Sequence, residues 1–428
     1  MLENNYDLNE NGKKIRKEAK ELVNEIDSDL LRKMDNEEID YPWEFYEKAA
    51  EKNLLGLRFP KKYGGRDCSW LTETAALEEI GVLGLGLGCS YSMPSIVGEA
   101  INRFGTEYQK EQYLKPMLAG DKLSAEGLTE PRGGSDFFGT ATTAEKEGDY
   151  YILNGQKRFI AGGSEADFYL LYAKTDPDKP GHEALSTFLV DRDMGVEVEE
   201  RYGLMGFRGM GTSRIVLRDV KVPEKNLVGK ENQGRTIFNY MMVPERLTSA
   251  AGAIGTGRAA LEVAMRYSRK RKAFGRKIKD FEGVNFKVAD SLTKLDAARG
   301  LAQTAARAAD EGDDPRRLVS EAKDFCTDTA WEVVNNSMQI LGGIGYTEIF
   351  PVERLLRDLR LGKIWTGSNE IMKLLVQHEA YKEFEESLEI GKDRNVEKDA
   401  IEIEKAAEKV YDVSDQKELF RKGKESSK

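Results

Sequence analysis

The spacing of apolar residues changes twice along this chain, and those two changes limit the fold more than any single motif does. In "GKKIRKEAKELVNEIDSDLLRKM", residues Ile15, Ala19, Leu22, Val23, Ile26 and Leu30 fall at three- and four-residue steps, the period of a helix with one buried face. From about Leu123 the pattern becomes short apolar runs between turns: "YYILNGQKRFI", "DFYLLYAKTD", "LSTFLVD", "GVEVEE" and "SRIVLRDVKV". The Asn154–Gly155 pair between two of these runs reads as a hairpin turn. After "VPEKNLVGKENQG" helical spacing returns in long Ala-rich stretches of the kind that build bundles. The expected fold is therefore α+β. It has a helical domain over 1–120, a β domain over 121–233 and a helical bundle over 234–385, followed by a charged peripheral helix or tail over 386–428.

Composition removes several classes of function. A formal charge of −10 argues against nucleic acid as the main partner, since phosphate binding needs clustered Lys and Arg. The run "RYSRKRKAFGRK" is the local exception. Cys68, Cys89 and Cys326 lack metal or disulfide spacing, and with only two histidines no metal site is expected. The polar, acidic start and the lack of an apolar run of about 18 residues predict a cytoplasmic protein without a membrane span. "GVLGLGLG" and "GAIGTG" have neither dinucleotide-binding nor phosphate-loop spacing, so close helix packing accounts for them better.

Four motifs carry a resemblance: "LTEPRGGSD" (128–136), "LNGQKRFIAGG" (153–163), "ERLTSAAGAIG…RKRKAFGRKI" (245–278) and "QILGGIGYTEIFPVERLLRDLRLGKIWTGSNEI" (339–371). In this order, and over about residues 15–380, the chain resembles the acyl-CoA dehydrogenase family of flavoproteins. The resemblance implies a helical domain, a β-barrel-like domain and a four-helix bundle arranged around FAD. It also implies that Leu128, Thr129 and Ser135 embrace the flavin and that Phe159 packs by its ring system. Ala161 stands where a Thr hydroxyl commonly reaches the flavin. Ser368 and Asn369 are placed near the cofactor. Arg271, Phe274, Gln339, Gly342 and Gly343 are implied to reach the FAD of a neighbouring subunit, in a homotetramer built as a dimer of dimers. Val243, Arg246, Trp365 and Gly367, with Ser135, are implied around the acyl-CoA.

The family's reaction removes a proton from the α-carbon of an acyl-CoA thioester and a hydride from the β-carbon. Such a weak carbon acid needs a desolvated carboxylate beside it and a polarised carbonyl. Most members carry that carboxylate just before the Gly of the "GS" turn, where this chain has Thr366, whose hydroxyl cannot act as the base. The isovaleryl-CoA and long-chain branches instead use the residue just before an Arg at the start of the last domain, which is Glu245 here. Pro244 suits a helix's first turn, so Glu245 is expected near a helix start. The backbone at Thr366 then polarises the thioester carbonyl. The implied activity is FAD-dependent oxidation of an acyl-CoA to the trans-2-enoyl-CoA, with electrons leaving through an electron-transfer flavoprotein. The alternatives are a relative with altered chemistry, such as a reductase or desulfinase, and a non-catalytic acyl-CoA-binding subunit.

Overall fold

The computed structural model describes residues 8–389, so the charged segment expected over 386–428 lies almost wholly outside the described residues. The N-terminal zone holds α1 (Glu10–Glu25), α2 (Ser28–Asp35), α3 (Trp43–Glu51), α4 (Trp70–Ile80) and α5 (Leu85–Phe104), then two short helices, α6 (Glu107–Gln109) and α7 (Lys115–Ala119). Asn9 caps α1 by accepting the Gly12 N–H at 2.8 Å, and Ile15, Ala19 and Leu22 form its buried stripe as their spacing predicts. Asp27 ends that run, because its side chain accepts the Asp29 N–H at 2.8 Å and starts α2.

The middle zone is a mixed sheet of eight strands. They are β1 (Ser124–Gly127), β2 (Thr143–Glu147), β3 (Tyr150–Ile160), β4 (Phe168–Lys174), β5 (Leu185–Asp191), β6 (Glu197–Arg201), β7 (Ser213–Pro223) and β8 (Leu227–Val228), with the short α8 (Gly181–Ala184) before β5. The order is β6-β7-β3-β2-β4-β5-β8, and β1 lies parallel against β4 with Glu126 opposite Leu170. Alternation along β4 sends Phe168, Leu170 and Tyr172 into the core shared with the helices, and Tyr169, Leu171 and Ala173 into the sheet's own core. One expectation fails here. Asn154–Gly155 is not a hairpin turn; β3 runs straight through it, with a shift of register against β7. The Asn154 side chain is used across the strands, exchanging hydrogen bonds of 2.9 Å with Asp219, and a Cβ on Gly155 would lie 2.4 Å from Thr142.

The C-terminal zone holds α9 (Gly234–Ser268), a hairpin of β9 (Lys272–Ala273) and β10 (Arg276–Lys277), α10 (Glu282–Glu311), α11 (Arg316–Leu341), α12 (Val352–Gly362) and α13 (Asn369–Glu389). The glycine runs serve close packing as expected: a Cβ on Gly81 would lie 2.5 Å from Gly252 O, and one on Gly255 would lie 2.2 Å from Glu78 O. Arg246 meets Ser320 and Gly257 meets Ala330, so α9 and α11 run parallel in nearly equal register. A buried ionic cluster that periodicity does not reveal joins α1, α4, α9 and α10. Arg16 and Arg258 bind Glu79, and Arg258 and Arg299 bind Glu78, with every one of these side chains at most 5% exposed. No helix among the described residues is long and apolar enough to cross a membrane, and no group of His, Cys, Asp and Glu among them suits a metal ion.

Candidate active site

Glu245 is not at a helix start. It lies inside α9, eleven residues after the helix begins at Gly234, and is 6% exposed. Proline at 244 has no N–H to give the preceding turn, yet the helix continues because its surroundings bury this stretch on several sides. The hydroxyls of the following turn add to it: Thr248 Oγ1 donates to Pro244 O at 2.6 Å and Ser249 Oγ donates to Glu245 O at 2.7 Å. Burial pushes the Glu245 carboxyl above its usual range, while a hydrogen bond from Glu126 and the Arg246 charge oppose that rise.

Thr366 is brought to the same place, since Ser249 Oγ also lies 3.0 Å from Thr366 Oγ1. The turn carrying it links α12 to α13 through two successive left-handed residues, Thr366 at φ +52° and Gly367 at φ +86°. For a β-branched residue that conformation stores of order 1–3 kcal/mol, so the surroundings must hold it. Fully buried Lys323 does so from α11, donating to Gly367 O at 2.7 Å and to Asn369 Oδ1 at 2.8 Å. Asn369 also donates to Asp328 Oδ1 at 3.0 Å and its N–H to Lys363 O at 3.1 Å, so this residue, expected near the cofactor, braces the turn. Ser368 Oγ accepts the Ile371 N–H at the start of α13. Trp365 packs edge-on to Phe207 at 5.0 Å. Arg246 is buried, donates to Ser320 at 3.1 Å, and is lowered to about 10 by burial, then by Arg316. Val243, next to this pair, is half-buried.

The structure adds a residue that sequence reasoning missed. Glu126 lies on the face of β1 opposite to Ala125 and Gly127, beside Leu170, and so points toward the helices. Its carboxyl lies beside that of Glu245, and burial, then the Glu245 charge, push it well up. Counting strand alternation back from Leu128 gives the signal that was available: Glu126 and Leu128 share a face.

The FAD implied by the resemblance fits what lines this region. Thr129 O accepts the Arg158 N–H at 2.7 Å, which ties the end of β1 to the end of β3 and sets Phe159 beside it. Phe159 has φ +58° and is 56% exposed, so this is an aromatic ring held out in a left-handed conformation and not the core residue its strand position would otherwise give. Leu128 and Ala161 are half-buried nearby in sequence, and Ser135 is exposed. The loop after Thr129 is pinned by Glu130, which binds fully buried Lys157 at 2.8 Å and accepts the Ala141 N–H at 2.6 Å. Trp365 Nε1 is buried without a partner among the described residues. These are features of a cradle for a flat, apolar ring system with polar edges.

Arg271, Phe274, Gln339, Gly342 and Gly343 form a second group, away from Glu245. At 1.5 Å per residue, Ser268 lies roughly 35 Å along α9 from Glu245. The basic run leaves the helix there and turns as the β9–β10 hairpin, whose tip, Phe274 and Gly275, has φ +50° and +81°, the pair a type I′ turn requires. Because α9 and α11 are parallel, Gln339 and the glycines lie at the same end, and a ring contact of 5.7 Å between Tyr267 and Phe350 joins the two regions. Phe274 is 96% exposed and Tyr346 is 83% exposed, and a side chain on Gly342 or Gly343 would meet open space.

Family models for the acyl-CoA dehydrogenase N-terminal, middle and C-terminal domains match residues 9–121, 125–220 and 232–381. The chain is 38% identical over 367 residues to a 3-(aryl)acrylate reductase of Clostridium sporogenes, covering 85% of this chain and 96% of that protein. It is 36% identical over 372 residues to subunit CarC of the caffeyl-CoA reductase-Etf complex of Acetobacterium woodii, covering 86% and 98%. Among solved structures, butyryl-CoA dehydrogenase from Megasphaera elsdenii superposes with a TM-score of 0.85 at 32% identity, over 88% of this chain and 99% of that one. Three domain matches in this order, covering most of the chain, make it a member of the acyl-CoA dehydrogenase family, FAD-binding oxidoreductases.

Proposed function

We propose that the chain oxidises an acyl-CoA thioester to its trans-2-enoyl-CoA and that Glu245 takes the α-proton. The observation that carries this reading is a buried carboxyl, Glu245, one helical turn before Ser249, whose hydroxyl meets Thr366 in the turn where most of the family keeps its base. An ionised Glu245 withdraws the proton from Cα, forming an O–H bond on the carboxylate. The Thr366 N–H, which meets no acceptor among the described residues, donates to the thioester carbonyl and stabilises the charge that develops there. The electron pair of the Cα–H bond becomes the second bond of Cα=Cβ as a hydride leaves Cβ, and bound FAD supplies the two-electron acceptor for that hydride. Trp365, Val243 and Arg246 bound the acyl and CoA side of the site, with Gly367 and Ser135. Leu128, Thr129, Phe159, Ala161, Ser368 and Asn369 face the cofactor of the same subunit. Arg271, Phe274, Gln339, Gly342 and Gly343 serve a neighbour's cofactor in a tetramer, and reduced enzyme passes electrons to an electron-transfer flavoprotein.

Anaerobic dye reduction over a panel of saturated acyl-CoAs tests the reading: bleaching of the flavin by at least one of them is expected, and bleaching by none would sink it. Glu245→Gln is expected to keep FAD and lose turnover by orders of magnitude, whereas a wild-type rate would remove Glu245 as the base. The double variant Glu245→Thr, Thr366→Glu is expected to recover part of that loss. Reduction of an enoyl-CoA is the second reading, favoured by the reductase names of two relatives and by a second carboxyl at the site. It predicts faster turnover from the enoyl side with a reduced donor.

A further inference from the structure

Glu126, on the helix-facing side of β1, and Glu245, inside α9, come from separate parts of the fold, and their carboxyls interact with one another. Glu126 Oε1 is closed to solvent and has no donor partner among the described residues. Two carboxylates side by side in a desolvated place resist being ionised together, because burial penalises each charge and each charge repels the other. One proton shared by the pair removes the repulsion and makes a strong hydrogen bond.

The surroundings decide which carboxyl carries that proton. On the Glu245 side stands Arg246, backed by Arg316 and by Lys323 of α11, and its positive charge favours an ionised neighbour. Around Glu126 there is Tyr172 of β4, whose hydroxyl burial and both carboxyls keep protonated. The Cys89 thiol of α5, which feels Glu245, is likewise kept neutral by burial. The nearest strand lysine, Lys157, is already paired with Glu130.

We propose that Glu126 is the proton-holding partner of Glu245: it keeps its own proton, donates it as a hydrogen bond, and so leaves Glu245 an ionised base in a site that would otherwise protonate it. The inference rests on Glu245 being the base. Glu126 is a positioning residue and makes or breaks no bond of the substrate. Once Glu245 has taken the α-proton the pair holds two protons, and one returns to solvent before the next turnover. In the direction of enoyl-CoA reduction the doubly protonated pair is the starting state, and Glu245 gives its proton to Cα.

The test compares Glu126→Gln and Glu126→Leu with wild type as full-length, FAD-loaded enzyme. The amide of Gln is a permanently neutral donor, so Glu126→Gln is expected to keep the acid limb of kcat/KM and lose the alkaline limb that reports Glu126 ionisation. Leu offers no donor, so burial acts unopposed on Glu245, and the acid limb is expected to move up by about one pH unit or more. An infrared difference spectrum of wild type minus Glu126→Gln at neutral pH, without substrate, is expected to contain the carbonyl stretch of a protonated carboxyl group. A purely structural Glu126 would scale the rate at every pH alike and give no such band, and that result overturns the proposal. The base assignment fails separately: Glu245→Gln at a wild-type rate removes it whatever the infrared band shows, while an inactive Glu245→Gln with an unmoved profile in both Glu126 variants removes only the proton-holding role.

Discussion

At the scale of single residues, Thr366 and Glu245 show how far side-chain identity alone can be read. That an acid is missing at 366 and present at 245 is legible from the motifs, and the structure brings Thr366 against Ser249, one helical turn after Glu245. Glu126 escaped because a glutamate between small residues has no meaning until its strand has a face. If the polarising donor at 366 is the backbone N–H, Thr366→Ala is expected to keep turnover within several-fold of wild type. It should lower stability by about 1 kcal/mol through loss of the hydroxyl contact with Ser249, read by thermal melting. A hundredfold loss of rate would mean that the hydroxyl itself takes part.

At the scale of elements, periodicity found the helices but not what stiffens them. The position of Glu245 within α9 was misjudged because proline usually marks a first turn, and here tertiary burial overrides that preference. The Asn-Gly pair failed for a comparable reason, its side chain being recruited across the sheet. The ionic cluster between α1, α4, α9 and α10 could not be seen because its members are far apart in sequence. Glu79→Ala is expected to destabilise the protein by about 3–5 kcal/mol in denaturant titration, since it leaves Arg258 and Arg16 buried with less compensation. Burial pushes the Glu79 carboxyl up, but Arg258 and then Arg16 outweigh it, so its native value is below the unfolded one. Its contribution is therefore complete above the ordinary glutamate range and is lost as pH falls through the depressed value; wild type should lose more stability on acidification than Glu79→Ala does. Lys323→Met should loosen the turn of Thr366, by about 1–3 kcal/mol for the Gly367 carbonyl left without a donor, and should lower kcat together with the melting temperature.

At the scale of the whole molecule, the order helices, sheet, helices was plain from the change of period, because each zone must bury its own kind of face. The grouping of the hairpin with the far end of α11 was not, since it depends on two helices running parallel in register. If that end completes a neighbour's cofactor site, Arg271→Glu with Phe274→Ala should weaken FAD retention and shift the assembly toward smaller species in light scattering, with the Glu245 centre untouched. An unchanged mass and unchanged flavin content would count against it.

The length of α9 then acquires a different meaning. If Glu245 is the proton acceptor and the β9–β10 hairpin the arm that serves a neighbour, α9 behaves as a ruler that sets the distance from one reaction centre to the next in whole turns. Removing a single residue between Gly257 and Ser268 would swing the arm about 100° around the helix axis. A protomer changed in that way would keep its own proton acceptor and fail its neighbour, so the pure variant would lose function that mixing with wild-type copies restores in part.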